Sequence, residues 1–267
     1  MEERIKVEVT DGVADVRMVR ADKMNALDDA MFSALVETGE ALKSRKDVRC
    51  VVLSGEGRAF CAGLDMSNFG KMASGDRKGG GGIVGTPRTP GGANRAQQAV
   101  FVWRELPMPV IGAIHGVAFG GGFQLAMGPE IRFVAPDTKL AILEIKWGLV
   151  PDMAGMVLLK GLLRDDLARE LTYTGRIFSG EEAFKLGLAT RVCADPRAEA
   201  LALAAEIASK NPDAIRAGKR LFNMQADADQ HAIFKAESEE QGALIGSPNQ
   251  VEAVKAAMEK RAAVYAD

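Results

Sequence analysis

Residues 115–127 read HGVAFGGGFQLAM, and this stretch decides the fold. The apolar run VIGAIH (110–115) predicts a buried strand, and FQLAM after the three glycines predicts a helix. A glycine turn before a helix exposes backbone N–H groups at the positive end of the helix dipole. The turn therefore either offers donors to a ligand or allows a helix to pack closely on a strand. The first polar side chain after it, Gln124, is neither an acid, a base nor a nucleophile.

A second glycine turn, GEGRAFCAGLD (55–65), follows another apolar strand at 48–55. Two N–H donors from two separate turns are suited to hold one carbonyl oxygen while it gains negative charge. Each such donor lowers the activation barrier of the reaction by about 3 kcal/mol. A dinucleotide loop is the weaker interpretation of GVAFGG (116–121), because Ala118 replaces the second glycine of that motif. The nucleoside-triphosphate motif GK[ST] does not occur.

The rest of the chain alternates strands and helices. IKVEV (5–9) and VADVRMV (13–19) flank Asp11-Gly12 and predict a β-hairpin. Asp28 is placed to cap a helix of about sixteen residues. A glycine-rich loop is expected at 70–93. Further strands are expected at 130–135 and 139–143. Helices are expected at 94–106, 155–163, 165–173, 180–186, 197–210, 213–225, 231–245 and 248–265.

This order of elements predicts an α/β core followed by a helical C-terminal extension. We place the core domain at 1–195 and the helical region at 196–267. Apolar side chains recur along the last helices, among them Ile233, Phe234 and Met258. Either the core or a second subunit must cover them.

Composition narrows the possible function classes. The 267 residues are 47% apolar and 26% charged, and the net charge of −2 argues against nucleic-acid binding. No apolar run is long enough to span a membrane, and the charged start MEERIKVEVT predicts no secretory signal. Cys50, Cys61 and Cys193 are isolated, which fits a reducing compartment and gives no zinc signal. We therefore expect a cytoplasmic protein with no metal site and no membrane partner.

Two carboxylates are candidates for proton transfer. Glu144 stands between Leu143 and Ile145 at the end of an apolar strand, where burial is expected to raise its pKa. Asp152 follows Pro151 as if it opened a helix, where the helix dipole is expected to lower its pKa. Two carboxylates in unlike environments make an acid and base pair. The alternatives without a catalytic role are that Glu144 lies at a solvated strand edge and that Asp152 only caps a helix.

Several stretches together resemble the crotonase superfamily, also called the enoyl-CoA hydratase/isomerase family. They run in family order over nearly the whole chain: DKMNALDDAMFSAL, GRAFCAGLDM, PVIGAIHGVAFGGGFQLAM, LEIKWGLVPDMAG, TYTGRIFSGEEAFKLGLATRV and SPNQVEAVKAAMEKR. The resemblance implies a spiral of ββα turns with a C-terminal trimerisation region, so that 1–195 is the acyl-CoA-binding core and 196–267 forms a trimer or a dimer of trimers. It also implies an acyl-CoA thioester substrate and no cofactor beyond the coenzyme A moiety.

The resemblance also assigns site residues. The oxyanion hole is carried over to the backbone N–H groups of Leu64 and Gly121, which would stabilise an enolate of the thioester. Catalytic proton transfer is carried over to Glu144 and Asp152, either of which can be the base. Substrate and CoA binding is carried over to Lys23, Met24, Ala26, Ala62, Asp65 and Gln124.

One departure from the family pattern decides between activities. A hydratase of this family typically has two glutamates, one at Glu144 and one where this chain has Gln124. Asp152 stands where hydratases usually have glycine, and its pairing with Glu144 resembles dienoyl-CoA isomerases, although those also have a carboxylate at the Gln124 position. We therefore expect double-bond isomerisation of an unsaturated acyl-CoA. Hydration by Glu144 alone, hydrolysis or dehalogenation with Asp152 as nucleophile, and silent acyl-CoA binding are the alternatives.

Overall fold

The structure is a computed structural model that describes residues 3–68, 87–225 and 227–267. Residues 70–86 of the loop expected at 70–93 lie outside the described residues. The strands are β1 (Ile5–Thr10), β2 (Val13–Met18), β3 (Cys50–Gly55), β4 (Val110–Ile114), β5 (Val117–Phe119), β6 (Ile131–Val134), β7 (Lys139–Ala141), β8 (Phe178–Ser179) and β9 (Arg191–Val192). The helices are α1 (Asp29–Lys43), α2 (Arg95–Glu105), α3 (Gly121–Met127), α4 (Gly155–Leu159), α5 (Asp165–Thr174), α6 (Gly180–Lys185), α7 (Pro196–Ala208), α8 (Pro212–Gln225), α9 (Gln230–Leu244) and α10 (Pro248–Glu259).

The strands form two sheets, and the chain passes between them repeatedly. The larger sheet has the order β1-β2-β3-β4-β6-β9, and all its neighbours are parallel except the β1–β2 hairpin. The smaller sheet has the order β5-β7-β8, with β5 and β7 parallel. Isolated bridges from Leu27 to Leu64 and from Cys61 to Ala118 extend this second layer towards the N-terminal part of the chain. The alternation between the two layers gives the spiral of ββα turns that the sequence predicts.

The N-terminal elements form for local reasons that the sequence predicts. Asp11 and Gly12 both have positive φ, as a two-residue hairpin turn that matches strand twist requires. The side chain of Asp28 accepts a hydrogen bond from the Met31 N–H at 2.7 Å and so caps α1. The predicted hairpin and the predicted cap are both confirmed.

The main core fills the space between the two sheets and the helices on the same side. Trp103, Phe32 and Phe123 are among its fully buried side chains. The other face of the large sheet is covered by α7, whose Ala200 and Ala204 pack in a second cluster with sheet residues. The first helix after residue 195 is therefore part of the packing of the core.

Some element bounds differ from those predicted. The strand expected at 139–143 ends at Ala141, and Glu144 instead begins a 3-10 turn, Glu144–Trp147. The helix expected at 155–163 ends at Leu159. The last helix ends at Glu259 because Lys260 adopts a left-handed conformation with φ 54°, which closes the helix.

Candidate active site

The two glycine turns lie directly against each other. The Cys61 N–H donates to the Val117 carbonyl at 3.0 Å, and the Phe119 N–H donates to the Cys61 carbonyl at 3.2 Å. A Cβ on Gly63 would lie 2.5 Å from the Phe119 oxygen and 3.7 Å from the Gly121 nitrogen. The turn after β3 and the start of α3 therefore meet with no space for a side chain between them.

Two backbone N–H groups point away from the secondary structure at this junction. Leu27 bonds to the residues on either side of Leu64, since its N–H donates to Gly63 and its carbonyl accepts from Asp65. In a parallel bridge this pattern directs the Leu64 N–H to the opposite side. The Gly121 N–H is in the first turn of α3, where a helix supplies no acceptor. Neither N–H donates to an acceptor within the described part of the chain.

Glu144 lies beside these two donors. It begins the turn after strand β7, which runs parallel to β5, so both strands end at one edge, and the Gly120 N–H donates to the Ala141 carbonyl at 3.0 Å. A Cβ on Gly120 would lie 3.5 Å from Glu144 Oε1, so the carboxylate rests over that glycine. Glu144 is only 9% exposed, and its Oε2 atom is buried without a hydrogen-bond partner among the described residues. Burial raises the pKa of Glu144, and the negative charge of Asp152 raises it further.

Asp152 lies in the segment before α4, which begins only at Gly155 after a left-handed Ala154. The prediction that Asp152 opens a helix and has a lowered pKa is therefore wrong. Asp152 is an exposed residue, yet the protein around its carboxyl group raises the pKa of Asp152 by burial. Both carboxylates consequently hold a proton more readily than ordinary carboxyl groups, and they act on each other electrostatically.

Gln124 connects the segments that carry the two carboxylates. Its Nε2 atom donates to Glu144 Oε1 at 2.6 Å. Its Oε1 atom accepts from the Met153 N–H at 2.8 Å and from the Gly155 N–H at 2.9 Å. The side chain is 1% exposed, so both ends of this amide are engaged inside the protein.

The residues expected to bind coenzyme A divide into two groups. Lys23 ends the 3-10 turn Ala21–Lys23, and Met24, the next residue, has positive φ. The Ala62 N–H donates to the Met24 carbonyl at 2.9 Å. These residues therefore lie together next to the glycine turns, with Lys23 exposed to solvent and Ala26 buried.

Asp65 belongs to a different arrangement. Its carboxylate pairs with Arg20 at 2.5 Å and accepts from the Ser67 N–H at 2.9 Å. The bonds to Ser67 and Arg20 outweigh burial and lower the pKa of Asp65 to about 2. Both interactions lie within the protein, so the structure gives Asp65 a part in holding the turn that presents Leu64.

The family model described as enoyl-CoA hydratase/isomerase matches residues 8–267. The chain belongs to the enoyl-CoA hydratase/isomerase family. A Bacillus subtilis protein named "Probable enoyl-CoA hydratase" is 32% identical over 241 residues, covering 89% of each chain. The mitochondrial Δ(3,5)-Δ(2,4)-dienoyl-CoA isomerase of Mus musculus is 31% identical over 258 residues, covering 93% of this chain and 77% of that protein.

The fold agrees with that membership. The crystal structure of an enoyl-CoA hydratase from Mycobacterium smegmatis superposes with a TM-score of 0.82 at 28% identity, covering 98% of this chain and 99% of that one. The mixed α/β fold with a helical C-terminal region, predicted from the resemblance to this family, is confirmed. Relatives named as hydratases and as isomerases both match, so membership of the enoyl-CoA hydratase/isomerase family leaves the individual reaction to be decided by the site.

Sequence reasoning missed several residues that build the site. Asn25 is fully buried, has a positive φ, and donates to the carbonyls of Glu56 and Ala59. Its signal was available, because asparagine is the residue other than glycine that most readily adopts a left-handed conformation. Met153, whose Sδ atom would lie 2.7 Å from a Cβ on Gly121, had no such signal in the sequence.

Within residues 3–68, 87–225 and 227–267, no group of His, Cys, Asp and Glu side chains is placed to hold a metal ion. The same residues contain no helix long and apolar enough to cross a membrane.

Proposed function

We propose that this member of the enoyl-CoA hydratase/isomerase family moves double bonds in an unsaturated acyl-CoA, with a 3,5-dienoyl-CoA as its substrate. The observation that supports this most directly is the pair Glu144 and Asp152, which interact electrostatically beside two N–H groups that donate to no acceptor among the described residues. An isomerase needs one group to remove a proton and another to return one at a different carbon. A pair with raised pKa values suits that task because one member can be ionised while the other holds a proton.

The proposed reaction begins with the thioester oxygen bound by the Leu64 and Gly121 N–H groups. The ionised carboxylate takes an allylic proton from the acyl chain, and the negative charge spreads through a dienolate onto the thioester oxygen. Each N–H stabilises that charge by about 3 kcal/mol. The protonated carboxyl group then delivers its proton to a carbon further along, and the molecular mass is unchanged. Either Glu144 or Asp152 fits the part of the base.

Binding of the remainder of the substrate is proposed for the surface of Lys23, Met24, Ala26 and Ala62, which lies next to the glycine turns. The exposed amine of Lys23 is suited to an anionic phosphate of the CoA nucleotide. No cofactor beyond the coenzyme A moiety enters this scheme. Asp65 and Gln124 contribute by holding their segments in place.

Hydration of a 2-enoyl-CoA is the second candidate, because the 32% identical relative from Bacillus subtilis is named as a hydratase. Oε2 of Glu144, which has no hydrogen-bond partner in the described part of the chain, is suited to bind a water molecule. Gln124 counts against this activity, since an amide cannot supply the second carboxylate.

Asp152→Asn tests the proposal. With a 3,5-dienoyl-CoA we expect loss of most turnover, about 100-fold or more, because proton transfer by a positioned side chain contributes that much. Asp137→Asn is the matched control, since Asp137 is exposed in the turn between β6 and β7. Near-normal turnover by Asp152→Asn would contradict the assignment. Mass spectrometry separates the candidates, because hydration adds the mass of water whereas isomerisation adds nothing.

Two further results would redirect the assignment. A covalent acyl-enzyme mass would indicate that Asp152 acts as a nucleophile in hydrolysis or dehalogenation. Tight binding of CoA esters without turnover of any of them would indicate a protein that binds acyl-CoA and does not transform it.

We also propose that residues 196–267 carry an oligomerisation surface that forms a trimer or a dimer of trimers in the cytoplasm. Exposed apolar side chains on the last three helices support this surface: Phe222, Phe234, Val251, Val254 and Met258. Side chains of this size rarely remain in water as a group.

A further inference from the structure

The segment from Glu144 to Gly155 is a loop whose two ends are joined by one side chain. It starts with the Glu144–Trp147 turn and ends where α4 begins. Gln124 donates to Glu144 at the first end and accepts from the Met153 and Gly155 N–H groups at the second. Asp152 immediately precedes the second attachment point, so one buried amide links both candidate proton-transfer groups.

The backbone at the second end is shaped to fit this amide. Ala154 has φ 67°, a left-handed conformation that directs the N–H groups of its two neighbours to one acceptor. A Cβ on Gly155 would lie 2.7 Å from Gln124 Oε1, so only glycine lets the carbonyl approach the backbone. The strain of a left-handed alanine is maintained by these two hydrogen bonds.

The chemistry of the three partners requires an amide at this position. The second end offers two N–H donors and needs an acceptor, whereas Glu144 Oε1 is an acceptor and needs a donor. A glutamate would satisfy the two N–H groups but would place a second carboxylate against Glu144, and the two would repel unless one of them took up a proton. An apolar side chain would satisfy neither end. Glutamine supplies both groups from one side chain.

We infer that Gln124 is a positioning residue that sets the orientation of Glu144 and its separation from Asp152. Its hydrogen bond occupies Oε1 of Glu144 and so leaves Oε2, which has no partner among the described residues, as the atom that exchanges protons. The inference rests on the proposed role of Glu144 and assigns Gln124 no direct contact with substrate. It replaces the expectation that Gln124 binds the substrate.

Two variants separate positioning from simple packing. Gln124→Glu keeps the acceptor for Met153 and Gly155 but removes the donor to Glu144, so the two carboxylates must share a proton. We expect the acid limb of the pH–rate profile to move to higher pH, with at least a tenfold loss of kcat/KM near neutral pH and little loss of thermal stability. Gln124→Met removes both attachments, and we expect about a 100-fold loss of kcat together with a lower melting temperature.

Gln97→Glu is the matched control. Gln97 is the third residue of α2 and forms a capping box with Asn94, a position where glutamate serves as well as glutamine. It should retain the wild-type profile. A wild-type pH profile in Gln124→Glu would overturn the inference, because packing alone does not distinguish glutamine from glutamate of the same shape.

Exchange of the two partners gives a second test. In the double variant Gln124→Glu with Glu144→Gln, the carboxylate at 124 accepts from both backbone N–H groups and from the amide at 144. We expect a melting temperature near that of the wild type and no recovery of turnover, because the ionisable group has moved away from Oε2. Recovery of turnover to within tenfold of the wild type would overturn the inference.

An infrared titration keeps this inference separate from the proposed reaction. The C=O band of the protonated Glu144 carboxyl, assigned by its loss in Glu144→Gln, requires no substrate. In Gln124→Glu the protonated-carboxyl absorption should persist to higher pH than in the wild type. Suppose that the wild-type protein fails to isomerise dienoyl-CoA but that the band still persists to higher pH in Gln124→Glu. The proposed reaction is then wrong and the positioning by Gln124 stands. If the band disappears at the same pH in Gln124→Glu as in the wild type, the positioning role of Gln124 is overturned.

Discussion

Replacement of Glu144 by glutamine should separate activity from stability. The new side chain has nearly the same shape, and its carbonyl oxygen can accept the Gln124 Nε2 hydrogen bond that Glu144 Oε1 now accepts at 2.6 Å. Its amide nitrogen takes the place of Oε2, which has no partner among the described residues, so no protein hydrogen bond is lost. The change from a charged to a neutral acceptor costs about 1 kcal/mol. Removal of a buried charge offsets this cost.

The effect on activity is expected to be large. General acid–base catalysis by one positioned side chain contributes about 100- to 10,000-fold, or about 3 to 5 kcal/mol of the barrier. The assay is kcat/KM with a 3,5-dienoyl-CoA, measured beside the melting temperatures of wild type and Glu144→Gln. Glu40→Gln, an exposed change on α1, serves as the control. A loss of less than tenfold, with the protein fully folded, would refute the proton-transfer role.

The same variant has a distinct dependence on pH. Burial raises the pKa of Glu144 above its ordinary value of 4.5, so the folded state holds this proton more strongly than the unfolded state. Stability contributed by the protonated group is therefore present below pH 4.5 and is lost as the pH rises through the higher, folded pKa. Glu144→Gln has no such loss. The melting temperature of this variant minus that of the wild type should therefore rise as the pH increases. If the melting temperature of the variant falls relative to that of the wild type as the pH rises, the raised pKa of Glu144 is contradicted.

Two other substitutions probe the packing and the assembly. Gly122→Ala should lower stability by about 3 kcal/mol, seen as a lower melting temperature, because the new Cβ would overlap the Cys61 carbonyl oxygen, which is fixed in the backbone. An unchanged melting temperature would show that the turn can move. Phe234→Glu, at a side chain that is 56% exposed, should leave the monomer fold intact and reduce the mass in solution measured by light scattering. An unchanged mass would remove Phe234 from the proposed oligomerisation surface.

The regular elements were predictable because their signals are local. The hairpin depends on Asp11-Gly12, and α1 depends on the cap at Asp28, and both are confirmed. Short strands such as β8 (Phe178–Ser179) were not predicted, since two residues carry no periodicity and their pairing is decided by β7, which is distant in sequence. Local preference cannot reveal an element that exists only through a distant partner.

The candidate site shows the same division. The position of the Gly121 N–H in the first turn of α3 follows from a glycine turn before a helix, which is a local pattern. The electrostatic environment of Asp152 was predicted with the wrong sign, because Pro151 suggested a helix start that the chain delays to Gly155. That delay comes from the hydrogen bonds of Gln124 across a gap of about thirty residues, which no local rule describes.

The glycine turn that decides the fold supports both of its possible interpretations, at different residues. Gly122 serves packing, since any side chain there would overlap the Cys61 carbonyl. The Gly121 N–H donates to no acceptor within the described part of the chain, and Gly120, next to Glu144 Oε1, has a φ of 51° that disfavours other residues. Substitution at these two positions should therefore fail for different reasons, by overlap with a fixed carbonyl at 122 and by backbone strain at 120. Three adjacent residues of one type thus carry separable physical duties, and the order GGG fixes the donor, the carboxylate and the helix relative to one another.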